Sequence, residues 1–138
     1  MPDIRFAVFT DLHYDFIPDG DRRLEDLTDA FRDLDVDFIL ELGDLCEPLP
    51  RNRRILEQLA SIGKPVYHML GNHDCDSERK ETVPSFFGLP RSYYSFGYGP
   101  VKFIVLDACY MRDSSGVRDY LGREYDRKTM EYPFIPEE

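Results

Sequence analysis

The chain has 138 residues, 42% of them hydrophobic and 32% charged, and a formal net charge of −10. That length suits one domain with a packed core, and no apolar run approaches a membrane span. The acidic excess argues against nucleic-acid binding through a basic face. It leaves a phosphate substrate open, because bound divalent cations would reverse the local field.

Ile4 to Phe9 is an apolar run interrupted only by Arg5, the pattern of a strand buried on both faces of a parallel sheet. Arg22 to Leu34 carries the stripe Leu24, Leu27, Phe31, Leu34 of an amphipathic helix, with Asp19 or Asp21 as candidate cap. Val36 to Leu42 is the second strand candidate, weakened by Asp37 and Glu41. Pro50 to Ile62 is the second helix, stopped at Gly63. Pro65 to Leu70 is the third strand. The order β-α-β-α-β implies a parallel sheet.

The pattern then changes. Ser77 to Phe87 reads as a short helix and loop broken by Pro84. Tyr93 to Tyr98 and Val101 to Leu106 flank Gly99-Pro100 as an antiparallel hairpin. From Ala108 onward no period emerges, so residues 108–138 are expected to be an irregular tail. The fold class is thus α/β: a βαβαβ parallel sheet with flanking helices plus a hairpin.

Cys46, Cys75 and Cys109 are an odd number with no close pair, which favours a reducing compartment and apolar packing. With the first strand starting near Ile4, no signal or transit peptide fits before it, so the expected location is cytoplasmic and not membrane-bound.

Three segments carry chemistry: Asp11-Leu12-His13, Gly43-Asp44 and Gly71-Asn72-His73-Asp74. Each follows a strand candidate, at the carboxyl edge where α/β sheets bind ligands. If strand geometry continued, Asp11 and His13 would point to the same side and offer a carboxylate and an imidazole to one cation. Asp44 could bridge two ions about 3.5–4 Å apart. Asn72 offers a neutral oxygen ligand. His73 is suited to assist a leaving oxygen, and Asp74 to orient the His73 imidazole and favour its charged form. A plain strand-to-loop turn explains any one motif, but three at successive strand ends suit a pair of divalent metals that activate water against a phosphate ester.

In these motifs the chain resembles the calcineurin-like metallophosphoesterases, whose signature continues with Gly-His and Gly-His-x-His. Tyr93-Tyr94-Ser95-Phe96 and Val101 to Asp107 also resemble the strand pair of their phosphodiesterase-like branch. The resemblance covers Ile4 to Asp107. It implies the first half of a four-layer α/β/β/α sandwich, with residues 1–107 as that half and 108–138 as the start of the second. It implies two divalent metals (Mn, Fe or Zn) and a metal-bridging hydroxide acting on phosphomonoesters or phosphodiesters, nucleotide-like small molecules among them. By position, Asp11 and His13 resemble first-metal ligands, Asp44 the bridging ligand, Asn72 a second-metal ligand, and His73 the residue that assists the leaving group.

The chain departs from that signature after Asp74. Its histidines are His13, His68 and His73, so the later histidine motifs are absent and the second metal site keeps Asp44 and Asn72. Phe134 to Glu138 resembles the lead-in to the family's next helix. Three readings follow: a phosphoesterase, a truncated or degenerate relative that binds metal weakly without turnover, and an acidic interaction module. A partner chain could supply histidines; Cys46, Cys75, Asp107 or Glu47 could substitute as ligands. A half-sandwich leaves an apolar sheet face, so self-association is expected.

For the remaining residues the plainer reading is structural: a core role for His68, a turn cap for Asp107, a solvated helix start for Arg51, Arg53 and Arg54, and packing for Tyr14, Tyr93, Tyr94 and Tyr110.

Overall fold

The computed structural model describes residues 3–136; Glu137 and Glu138, part of the acidic surface and of the helix lead-in read from sequence, lie outside it. Strand β1 (Phe6–Phe9) pairs in parallel with β2 (Phe38–Glu41), and β2 in parallel with β3 (Val66–His68). Between them run α1 (Gly20–Asp33) and α2 (Arg53–Ala60), the latter entered through a 3₁₀ turn at Pro50–Asn52. The apolar stripes dock as their spacing requires: Leu24, Ile55 and Leu59 are fully buried beside Ile39, with Ala7, Phe9, Leu27 and Phe31 packed around them.

The other face of the sheet is aromatic. Strands β4 (Tyr94–Tyr98) and β5 (Val101–Val105) form the expected antiparallel hairpin. Its Phe96 and Phe103 rings pack on Phe38, with centroids 5.6 and 5.2 Å away. Phe96 also stacks on Tyr67 at 3.6 Å. Cover is incomplete: Phe6 and Val8 remain exposed, so β1 is not buried on both faces.

Three expectations are corrected. Neither Asp19 nor Asp21 caps α1 through its side chain: Asp19 holds φ 60° and bonds Arg23 N–H through its carbonyl, while Asp21 accepts Tyr14 Oη and Arg54 Nη1, each at 2.7 Å. Glu41 does not weaken β2: its carboxylate is fully buried, accepts the Gly43 N–H at 2.6 Å and lies 3.1 Å from His68 Nδ1. The stretch from Ala108 is not irregular. After the short α3 (Val83–Phe86) and the hairpin come β6 (Tyr110–Asp113), β7 (Gly116–Asp119) and β8 (Glu131–Phe134), in the order β7-β6-β8.

All three cysteines are free and buried. Among the described residues, no helix is long and apolar enough to cross a membrane.

Candidate metal centre

The three motifs interlock through their backbones. Asp11 N–H donates to Gly43 O at 3.1 Å and His13 N–H to Asp44 O at 2.9 Å. His73 N–H donates to Asp44 Oδ1 at 2.8 Å. Asp11, His13 and Asp44 adopt φ of 57°, 46° and 58°, in the left-handed region that non-glycine residues seldom enter. Strand alternation therefore does not bring Asp11 and His13 together. The strand stops at Phe9, and two left-handed residues fold the loop back on itself.

One ring nitrogen of His13, one of His73 and a carboxylate oxygen of Asp44 all lie within 4.8 Å of one another. His13 Nε2 is 3.3 Å from Asp11 Oδ1 and 3.7 Å from Asp44 Oδ2. Ligands at about 2.0–2.2 Å from a shared cation stand about 3–3.6 Å apart, close to the His13–Asp11 and His13–Asp44 separations, so these three residues are a candidate donor set for one divalent ion. Asn72 precedes His73 in the same loop.

Asp74 does not orient His73. It is buried between the loops, where its carboxylate accepts N–H groups from Gly71 at 2.8 Å, Asp44 at 2.9 Å and Leu45 at 3.1 Å. Burial, reinforced by the Glu41 and Asp44 charges, pushes its pKa from 3.8 up to about 8 against the pull of those donors. Asp74 thus staples the Gly43-Asp44 loop to the Gly71 loop. The partner of His73 is Asp76, whose Oδ2 lies 2.5 Å from His73 Nδ1. Sequence reading missed Asp76, which follows the 3₁₀ turn His73–Cys75 and which spacing alone does not separate from Asp74.

The loops meet backbone to backbone. A Cβ on Gly43 (φ +99°) would strike the Gly71 backbone, and one on Gly71 would strike Asp44. Arg23 reinforces the first loop, donating to the carbonyls of Leu12, His13 and Ile17.

The other candidates are structural. His68 pairs with Glu41 and its carbonyl accepts Tyr94 Oη at 2.7 Å. Asp107 accepts the Cys109 N–H at 2.8 Å and lies 2.8 Å from Lys80 Nζ. Arg51 reaches Asp15 and Glu47, Arg54 reaches Asp21 and Tyr14, and Arg53 lies over the Phe86 ring. Tyr110 lies under Lys80, and Tyr93 is exposed.

A parallel sheet whose strand ends gather imidazole and carboxylate groups defines an α/β protein with a candidate metal centre. The chain belongs to the calcineurin-like phosphoesterase family, whose model matches residues 4–130 and so runs past Asp107. Among solved structures it is similar to a dimetal phosphatase from Danio rerio (LOC 393393), at 21% identity over 78% of this chain, with a TM-score of 0.61. It covers 45% of that protein's chain, less than half its length. That likeness is one of fold. No curated protein matches the chain.

Proposed function

We propose that this chain carries the catalytic front of a metal-dependent phosphoesterase, acting on phosphomonoesters or phosphodiesters of small, nucleotide-like molecules. The observation that carries the reading is the convergence of His13, Asp44 and His73 within 4.8 Å, with Asp11 beside His13. Asp11, His13 and Asp44 would hold the first divalent ion, and Asp44 and Asn72 the second. Mn, Fe and Zn all suit such mixed nitrogen and oxygen donors. Ions bound there supply Lewis acidity toward phosphoryl oxygens and lower the pKa of water.

The chain's own groups then have defined tasks. His73, 42% exposed at its side chain, is placed to hold a proton for the leaving oxygen. Asp76 keeps its ring turned toward the site. Asp74 and Glu41 stay inside and hold the loops. Three buried, free cysteines support a reducing, cytoplasmic setting.

One observation favours a second reading, a relative that binds metal weakly without turnover: no histidine follows His73, so the second ion rests on Asp44 and Asn72. Hydrolysis of bis-p-nitrophenyl phosphate with added Mn²⁺, beside His73→Ala, separates the two. Turnover lost in the variant supports the enzyme. Turnover no greater than the variant's supports the second reading.

A further inference from the structure

The segment after Ala108 contributes to the centre. His73 Nδ1 faces Asp76 Oδ2 at 2.5 Å. A carboxylate only accepts, so Nδ1 carries the hydrogen, and Nε2 is the ring atom left to take or give a proton. The other carboxylate oxygen, Asp76 Oδ1, is closed in by Gly122: a Cβ built on Gly122 would overlap it. The same point lies 3.4 Å from the Tyr120 hydroxyl.

Tyr120 is itself fixed. It is buried, its N–H donates to Cys109 O at 3.0 Å, and its ring packs on Tyr132 with centroids 4.5 Å apart. We propose that the turn Tyr120-Leu121-Gly122 is a positioning clamp: by closing over Asp76, it holds the His73 ring with Nε2 toward the site. The catalytic significance rests on the proposed function, but the geometry does not.

The test is ¹⁵N NMR of the histidine rings in the metal-free 138-residue chain, at a pH where the imidazoles are neutral. The native chain should show His73 as the Nδ1–H tautomer. Asp76→Ala and Gly122→Ala should both shift it toward Nε2–H, while His68, held by Glu41, stays unchanged. An unchanged His73 tautomer in Asp76→Ala or Gly122→Ala overturns the proposal. If Gly122→Ala does not fold, the double variant Asp76→Ala/Gly122→Ala should restore folding by removing the overlapping carboxylate; failure to restore it counts against the clamp. The tautomer is read without metal or substrate, so a chain lacking phosphoesterase activity would sink the proposed function and leave this test intact.

Discussion

The imidazole rings of His13 and His73 meet edge to face, their centroids 4.8 Å apart, so the first and third motifs come together at one point beside Asp44. There His13 and Asp44, with Asp11 beside them, are candidate ligands for a divalent cation. Added Mn²⁺ should raise the melting temperature, and a chelator should reverse the rise. At a hundredfold excess over Kd, binding contributes about 2.7 kcal/mol. Asp44→Asn should remove most of that rise and, if the chain turns over, lower activity by about a hundredfold or more. A melting curve unmoved by millimolar Mn²⁺ would rule the centre out.

Gly43 and Gly71 pass so close that neither tolerates a side chain. Gly71→Ala should cost about 2–4 kcal/mol in chemical denaturation, because the added methyl meets the Asp44 backbone nitrogen as well as its carboxylate, which the His73 N–H also holds. Gly63 is the control on volume: a Cβ there meets nothing within 4 Å, and only its φ of +79° is strained. Gly63→Ala should therefore cost about 1 kcal/mol. Equal losses at the two positions would show that the loops part easily.

Much of this was legible in the sequence. The strands β1 to β3, the two long helices and the hairpin follow from apolar spacing, and the three motifs mark the right sheet edge. The last sheet was not legible, because β7 is exposed at all four residues and β8 alternates over only four residues that include Pro133. Nor could spacing tell Asp74 from Asp76. Which carboxylate turns inward is decided by the backbone N–H groups of Gly71, Asp44 and Leu45, and those meet only when the chain folds. Glu41 misled for a related reason: polarity weakened the strand on paper, while its partner His68 comes from β3.

Asp74 and Glu41 also set a pH dependence. Both have pKa values raised in the folded chain, first by burial. A folded chain that holds its proton more tightly than the unfolded one gains stability at low pH and loses it as pH rises. For Asp74 the window runs from 3.8 to about 8. Without divalent ions, stability should fall by a few kcal/mol across that window. Asp74→Asn should flatten the slope. A profile that rises with pH over the same window would refute the assignment.

Lys80 and Asp107 form a buried pair at 2.8 Å, each side chain about 5% exposed or less. Lys80 also donates to Cys109 O at 2.7 Å and lies over the Tyr110 ring at 3.1 Å. Removing one partner leaves a buried charge without its opposite, so Lys80→Met should cost about 3–5 kcal/mol. Replacing both, as Lys80→Met with Asp107→Leu, should cost less than the single change. A double-mutant cycle in urea measures the difference, and additive losses would mean that the pair is not coupled.

The outer face of the hairpin leads to the last prediction. Ile104 and Leu106 are 68% and 63% exposed, with Tyr93 and Ile135 also exposed nearby around two shallow clefts. Phe6 and Val8 add a second uncovered apolar area at the β1 edge. Apolar side chains gathered in this way associate, since each side chain removed from water contributes about 1.5–3 kcal/mol when fully buried. The chain should therefore self-associate at micromolar concentration, giving a light-scattering mass above that of the 16.2 kDa monomer. Ile104→Lys with Leu106→Lys should restore the monomer without changing the melting temperature by more than a few degrees, because both side chains already face water. The pair also separates the hairpin from the β1 edge. If the doubly substituted chain still associates and Val8→Lys dissociates it, the contact runs through the sheet face that the hairpin leaves open. A native chain that scatters as a clean monomer would mean that neither area is large enough to hold a second copy.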